Sequence, residues 1–226
     1  MAKLTWDADG NRFYETGIKD VALYVYDSTV TGTGLKYANG VAWNGVTALT
    51  ESPSGAEETK LYADDREYLS LRSIEDFGLT LECYSYPDAF AECNGERMLK
   101  AGVAGVTFGQ QTRKKFCLVY KTTKGNDTDG NDKGYIIHIV YGCTASPAEK
   151  SYATINDSPE AITFSFEMSA SDIEFTYGSD TVTTSHIEID STVVNSTKLQ
   201  NIEAALYGDT NSDPTIKSPT ELIAML

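Results

Sequence analysis

Apolar and polar residues alternate strictly along several segments of the chain, and this alternation narrows the choice of fold more than any other feature. The segment LTLECYSY (Leu79–Tyr86) separates its side chains into two faces: Leu79, Leu81 and Cys83 against Thr80, Glu82 and Tyr84. AITFSFEMS (Ala161–Ser169) follows the same rule, with four residues predicted to point inward: Ile162, Phe164, Phe166 and Met168. Successive side chains of a strand point to opposite faces, so the pattern predicts a mainly β fold of antiparallel strands, solvated or partnered on one side.

Further segments rich in β-branched and aromatic residues are also predicted to be strands. They are VALYVYD (Val21–Asp27), VAWNGVTALT (Val41–Thr50), KKFCLVYKTT (Lys114–Thr123), YIIHIVYG (Tyr135–Gly142) and SHIEID (Ser185–Asp190). Helices are expected mainly near the end of the chain. In STKLQNIEAALYG, Thr197 is the predicted N-cap and Gln200 completes a capping box. In SPTELIAML, Ser218, Pro219 and Glu221 form a second helix start, and PDAFAEC (Pro87–Cys93) is predicted to make a short helical turn.

The chain of 226 residues is long enough for one well-buried core, and no internal repeat or linker divides it. We therefore predict a single domain over residues 1–226, with a C-terminal helical segment at 195–226. Two polar stretches are predicted to be loops. The first, Glu51–Glu67, reads ESPSGAEETKLYADDRE and contains Pro53 and Gly55, and the second is Ser169–Thr184. A loop as long as the first is usually functional or mobile.

The charge balance limits the classes of partner. The chain has 33 acidic and 18 basic residues, for a formal net charge of −15, and such a surface repels nucleic acid and anionic membranes. No apolar run approaches the roughly 20 residues of a membrane span, and MAKLTWDADGNRF at the N-terminus lacks the apolar core of a secretion signal. We expect assembly in a reducing cytoplasm, where four scattered cysteines remain packed thiols. They are Cys83, Cys93, Cys117 and Cys143.

Catalytic motifs are not found in the sequence. It contains no HExxH, GxSxG or Walker-type segment. The two histidines, His138 and His186, lie in separate strand patterns, and nothing in the sequence places them near each other. We therefore expect a protein that is not an enzyme and needs no cofactor.

The stretch GNDTDGNDKGY (Gly125–Tyr135) spaces Asp127, Asp129 and Asn131 as a calcium-binding loop would. It lacks the glycine and the closing glutamate that such a loop needs at its sixth and twelfth positions, and its flanks are predicted strands. Asp, Asn and Gly also favour tight turns. We predict a hairpin tip here, and a weak calcium site stays open as the alternative.

Long ordered strings in the chain resemble a known family. These are ETGIKDVALYVYD (Glu15–Asp27), GVAWNGVTALTESPSGAEETKLYADDREYLSL (Gly40–Leu71), TLECYSYPDAFAECNG (Thr80–Gly95), FGQQTRKKFCLVYKTTKGNDTDGND (Phe108–Asp132) and YGCTASPAEKSYATINDSPEAITFSFE (Tyr141–Glu167). They resemble the major tail protein, or tail tube protein, of long-tailed, non-contractile phages of the siphovirus type. The resemblance extends from about Glu15 to Tyr207, and Ser169–Thr184 matches least.

The resemblance implies an antiparallel β-sandwich or barrel of the tail-tube type, with one flanking α-helix and a short C-terminal helix. It also implies hexameric rings that stack into the tail tube, a virion structure assembled in the host cytoplasm. The partners would then be further copies of the chain, the tape measure protein and the tail terminator. DNA would pass through the acidic lumen without specific binding, which the net charge of the chain allows.

The resemblance also suggests roles for particular residues. Glu51–Glu67 would be an inter-subunit loop that reaches a neighbouring ring, with contact candidates Pro53, Gly55, Tyr62, Asp64, Asp65 and Arg66. The lumen candidates, chosen from the polar strand face, are Glu75, Asp76 and Glu82. An alternative function is a soluble β-sandwich module that binds carbohydrate, in which Trp43 and tyrosines would stack on sugars. A metal-dependent enzyme, based on the aspartate-rich turn alone, is a third possibility.

Overall fold

The computed structural model describes residues 4, 6–31, 34–98, 105–155 and 161–226. In chain order the strands are β1 (Phe13–Val25), β2 (Val41–Ala42), β3 (Val46–Glu51), β4 (Ser54–Gly55), β5 (Glu58–Ala63), β6 (Arg66–Arg72), β7 (Glu75–Asp76), β8 (Gly78–Cys83), β9 (Arg97–Met98), β10 (Thr107–Phe108), β11 (Phe116–Asn126), β12 (Gly130–Ala145), β13 (Phe164–Ser169), β14 (Ile173–Tyr177), β15 (Asp180–Thr184) and β16 (His186–Asp190). A 3-10 helix covers Asp88–Phe90, and the α-helices are α1 (Ser196–Tyr207) and α2 (Pro219–Met225).

The largest sheet is built around β12, which pairs with strands of two different layers. The order of the sheet is β2-β1-β11-β12-β13-β8-β3, and β16 pairs with β12 beside this path. Residues 136–140 of β12 pair with β16, whereas Thr144 and Ala145 pair with β13. Between these parts Gly142 has φ +59, and a Cβ there would lie 2.9 Å from the carbonyl oxygen of Ser171. The glycine therefore lets the strand change direction, and the sheet folds back on itself.

The first core fills the space between the two halves of the folded sheet. Leu23, Leu118 and Val140 from the first half pack in one cluster with Leu81 and Phe166 from the second. All five side chains are fully buried. The alternation in β8 and β13 thus predicted the correct buried face. The exception is Ile162, which precedes β13 and is exposed, so its predicted inward position is wrong.

The second core lies between the other face of β1, β11, β12 and β16 and the two α-helices. Leu199, Ile202 and Leu206 of α1, together with Leu222 of α2, pack against residues such as Ile139. The α1 helix begins two residues earlier than the sequence suggested, because its N-cap is Asn195 and not Thr197. The Asn195 side chain accepts from the Thr197 backbone N–H. The capping box of Ser218 and Glu221 at the start of α2 is confirmed.

The fold class is confirmed: a mainly antiparallel β fold with one flanking α-helix and a short C-terminal helix. The predicted strand Val41–Thr50 is two strands, β2 and β3, and the predicted helical turn in Pro87–Cys93 is the 3-10 helix. Both predicted loops are wrong in the same way. Ser169–Thr184 contains the hairpin β14–β15, and most of Glu51–Glu67 lies in β4, β5 and the start of β6. Among the described residues, no helix is long and apolar enough to cross a membrane.

Candidate assembly surface and polar cluster

Residues Ser54–Asp76 pair with one another rather than with the large sheet, and we call this region the arm. Its strands are β4 with β7 at the root and β5 with β6 beyond them. Every residue from 51 to 76 is exposed, on both faces of the hairpin. An isolated two-stranded hairpin is only marginally stable in water. Contact with another surface would therefore stabilise the arm.

The tip of the arm is a two-residue turn formed by Asp64 and Asp65. Ala63 pairs with Arg66 across it, and the two aspartates have φ of 53° and 59°. Left-handed φ at both central residues defines the type I′ turn, which matches the twist of hairpin strands, and Asp tolerates this conformation. The predicted contact residues Asp64, Asp65 and Arg66 thus lie at the tip, and Tyr62 is beside it with 70% of its surface exposed.

Three leucines share one face of the arm, and we call them the leucine stripe: Leu61, Leu69 and Leu71. Leu61 lies opposite Leu69, and Thr59 lies opposite Leu71, so alternation puts all three on the same side. They are 44%, 45% and 50% exposed. On the arm, Lys60 also forms an ion pair with Glu67 at 2.9 Å. An apolar stripe with polar partners beside it is typical of a surface that another protein covers.

The root of the arm contains the remaining residues predicted to make contacts. Pro53 precedes it, and Gly55 pairs with Glu75. Gly55 has φ +88, and a Cβ there would lie 2.4 Å from the Ile74 carbonyl oxygen. Only glycine permits this close approach of the two chains, so the root depends on it. Asp76 pairs with Ser54 in the same small sheet.

Glu82 lies on a different surface, which we call the acidic face. It is the outer side of β8 and β13, where Ser165 lies opposite Glu82 and Glu167 lies opposite Thr80. Strands β3, β8 and β13 contain no Lys or Arg. The grouping of Glu75 and Asp76 with Glu82 on one strand face is wrong, because β7 belongs to the root of the arm.

Strand β3 is an edge of the large sheet within the part of the chain that the structure describes. It pairs with β8 on one side, and its order in the sheet is terminal. An edge strand presents unpaired N–H and C=O groups that can pair with another chain. The arm follows β3 directly in the sequence, so the edge strand and the root of the arm are joined by only a short connection.

The aspartate-rich turn is the tip of the β11–β12 hairpin, as predicted, with Asn126 paired to Gly130. Its carboxylates bind protein groups. Asp127 accepts from the backbone N–H of Gly10 at 3.1 Å and contacts the Arg12 guanidinium at 3.3 Å, and Asp129 forms an ion pair with Lys133. Tyr14 donates to Asn131. The turn therefore fastens the segment before β1 to the sheet.

The two histidines meet across β12 and β16, although no sequence pattern connects them. His138 lies opposite Glu188 in this pair of strands, and His186 is two residues earlier on β16. The distance from His138 Nδ1 to His186 Nε2 is 3.3 Å, and the ring planes differ by 10°. His138 is only 4% exposed. The structure therefore places His138 in a buried polar site beside His186, a proximity that the sequence did not predict.

Two carboxylates complete this group, which we call the histidine cluster: Glu51, His138, His186 and Glu188. From His138 Nδ1, Oε1 of Glu51 is 3.8 Å away and Oε1 of Glu188 is 3.7 Å away. Ligand atoms of Glu51, His138 and His186 all lie within 4.8 Å of one another. Burial lowers the pKa of His186, and the neighbouring His138 lowers it further against the opposing effect of Glu51 and Glu188.

Surrounding hydrogen bonds orient the members of the histidine cluster. Tyr120 donates to Oε1 of Glu51 at 2.5 Å, and its ring lies parallel to that of His138 with centroids 4.7 Å apart. Burial, and then the bond to Glu51, raise the pKa of Tyr120 well above its ordinary value, so it remains a donor. Thr122 Oγ1 lies 2.9 Å from His138 Nε2 and donates to Glu15 at 3.3 Å. Because its hydrogen is used there, Thr122 accepts from His138 Nε2–H, which leaves Nδ1 with a free lone pair in the neutral ring.

The tryptophan proposed as a sugar platform is part of the first core. Trp43 is 3% exposed, its ring centroid lies 4.4 Å from that of Phe90, and its indole N–H donates to the carbonyl oxygen of Ser85. A buried ring has no free face for a ligand, so the carbohydrate-binding alternative loses Trp43 and would depend on the tyrosines alone.

No family model matches the chain, and no curated protein matches it. Among solved structures, it is similar to a chain of the anti-feeding prophage baseplate, with 9% identity and a TM-score of 0.36, over 80% of this chain and 97% of that one. It is also similar to a chain of the sheath-tube complex of an extracellular contractile injection system in its extended state. The identity there is 12% and the TM-score 0.30, over 74% of this chain and 88% of that one.

Proposed function

We propose that this chain is the structural subunit of a phage tail tube. It polymerises as stacked hexameric rings into a conduit through which DNA leaves the virion. The observation that carries the proposal is the arm. Its strands pair with one another, every one of its residues is exposed, and one of its faces has an apolar stripe. The resemblance of its sequence to tail tube proteins supports this choice of assembly.

The arm is proposed to dock on a second copy of the same chain in the neighbouring ring. The leucine stripe exposes about half of each of three leucines in the free subunit. Covering apolar surface of this kind stabilises an interface by about 25 cal/mol per Å² removed from water. A closed ring and a stack of rings use one surface repeatedly, so a single exposed arm per subunit is enough to connect every ring to the next.

The edge strand β3 and the acidic face are proposed to belong to the wall of the lumen. Pairing of β3 with a neighbouring subunit would continue the sheet around the ring and remove its exposed edge. The carboxylates of Glu82 and Glu167 lie on a face whose strands β3, β8 and β13 supply no cation. Such a surface repels phosphate groups, so DNA slides past it without binding. The proposed role is structural, in the virion tail, with the tape measure protein inside the tube, the tail terminator at its end, and no catalytic step.

Sedimentation velocity together with negative-stain electron microscopy tests the proposal. The wild-type chain is expected to form rings or tubes. A variant with Leu61→Ser, Leu69→Ser and Leu71→Ser is expected to stay folded and to assemble poorly. The matched control is Tyr177→Ser, which removes an aromatic side chain that is 63% exposed on the other hairpin, β14–β15. Equal assembly by the triple variant would refute the role of the arm, and a wild-type chain that is monomeric at every concentration would refute tube formation.

A further inference from the structure

The histidine cluster contains the atoms of a metal site, gathered from three strands of the folded sheet. Glu51 ends β3, His138 is in β12, and His186 and Glu188 are in β16. Two imidazoles and two carboxylates are ligands that suit Zn²⁺ and comparable divalent transition-metal ions, whereas calcium and magnesium prefer oxygen alone. With neutral imidazoles the cluster carries two negative charges, which one divalent cation balances.

The distances from His138 Nδ1 to the other ligand atoms are close to those of a tetrahedral site. Zinc bonds of about 2.0 to 2.2 Å to nitrogen and oxygen place neighbouring ligand atoms about 3.3 to 3.6 Å apart. From His138 Nδ1 the corresponding distances are 3.3 Å to His186, 3.7 Å to Glu188 and 3.8 Å to Glu51. The ligand atoms of Glu51, His138 and His186 all lie within 4.8 Å of one another, so side-chain movements on the order of 1 Å would bring them to the separations of a zinc site. Glu188 would join them from its position beside His138. Glu51 and Glu188 have side chains that are 33% and 56% exposed, so they are free to make such movements.

The groups behind the ligands have the arrangement of an outer shell. A metal-bound histidine normally donates its second ring N–H to an oxygen, and its carboxylate neighbours are hydrogen-bonded in turn. Here His138 Nε2 donates to Thr122, and Tyr120 donates to Glu51. The lone pair of His138 Nδ1 is thereby directed toward the other members of the cluster, where a cation would be held.

We propose that Glu51, His138, His186 and Glu188 bind Zn²⁺ or a comparable divalent transition-metal ion. The bound ion connects the last residue of β3, from which the arm continues, to the central strand β12 and to β16. It therefore fixes the base of the arm relative to the sheet. The site is independent of the proposed tail function, because it depends only on side chains within one subunit.

The test uses the full chain without a histidine tag, first stripped with a chelator. Cobalt(II) serves as the spectroscopic probe, and Zn²⁺ is measured by calorimetry and by competition against cobalt. One ion per chain is expected, with the d–d absorption of a tetrahedral centre and a rise in the melting temperature. His186→Gln and His138→Gln are each expected to weaken binding at least tenfold. Tyr120→Phe removes an outer-shell bond and is expected to weaken it by about 10- to 100-fold.

The control variant is Glu174→Gln, which removes an exposed carboxylate on β14 and is expected to leave affinity unchanged. If His138→Gln fails to fold, His186→Gln and Glu188→Gln carry the test, because both positions lie on the short strand β16 and are less buried. Near-ultraviolet circular dichroism checks that each variant is native. Absence of binding by the wild-type chain would show a hydrogen-bonded histidine pair only and would overturn the proposal. Unchanged affinity in the folded histidine variants would overturn it as well.

Discussion

Leu61 and Leu69 lie directly opposite each other on the arm, and each leaves almost half of its surface in water. Leu69→Thr is therefore expected to change the free energy of unfolding of the monomer by less than about 0.5 kcal/mol. Leu81→Ala, in the first core at 0% exposure, is expected to cost about 2 to 5 kcal/mol because it leaves a cavity. Urea unfolding under conditions that keep both proteins monomeric measures the contrast. A cost for Leu69→Thr near that of Leu81→Ala would mean that the arm is packed against its own subunit.

Asp127 is expected to hold the segment before β1 rather than an ion. Asp127→Ala removes the acceptor of the Gly10 and Arg12 backbone N–H groups and the partner of the Arg12 guanidinium. Hydrogen exchange of residues 6–12 should therefore accelerate, while the core strands keep their protection. Calcium at millimolar concentration is expected to leave exchange in the wild-type chain unchanged. Strong protection by calcium that disappears in Asp127→Ala would restore the calcium-binding interpretation of this turn.

The capping box of α2 is expected to give the stability a dependence on acidic pH. Burial acts to raise the pKa of Glu221, but hydrogen bonds from Ser218 and the charge of Lys217 outweigh it, so the pKa lies below its ordinary value. The carboxylate therefore contributes stability above its unfolded pKa of about 4.3, and this contribution is lost as the pH falls through the lower, folded pKa.

Glu221→Gln should accordingly lower the free energy of unfolding by about 0.5 to 1 kcal/mol at pH 7, and the difference should shrink toward pH 3. Ser218→Ala, which removes the other half of the box, should show the same trend. Urea midpoints between pH 7 and pH 3 measure both variants. A difference that grows with acidity would contradict the assignment.

The four cysteines are expected to be inert in the folded protein. All four are free thiols and buried, and burial raises the pKa of Cys93 and Cys117 to about 12. Because the thiolate is the reactive form, an aromatic disulfide reagent should modify none of them in the native state and all four in guanidinium. Thiol titration with mass spectrometry gives the count, and rapid native labelling at any of these positions would contradict the packing described.

The sequence predicted those parts of the fold where the alternation of apolar and polar residues lies within a single segment. The alternation around Leu81 and Phe166 identified one wall of the first core correctly, because burial on one face leaves a period of two in the residues themselves. The arm was missed because its charges, Pro53 and Gly55 indicated a loop. Its strands do alternate on both sides of Asp64 and Asp65, and a two-residue turn between such segments is a hairpin signal.

The histidine cluster could not be predicted in the same way. His138 and His186 are 48 positions apart, and they meet only because β12 and β16 pair in one particular register. A shift of that register by one residue would put one ring on the opposite face. Such a register is decided by the packing of the whole sheet, including the helices behind it, and no local pattern in either strand specifies it.

Strand β12 belongs to both halves of the folded sheet, with β16 on one part of its length and β13 on the other. A pull applied to one half is therefore transmitted to the other through the covalent backbone of a single strand, and not only through side chains that touch across the core. In the proposed tail tube, this connection would make each subunit respond as one mechanical element when the tube bends or is stretched. Sliding of the two layers past each other would first require the hydrogen bonds of β12 to break along its axis.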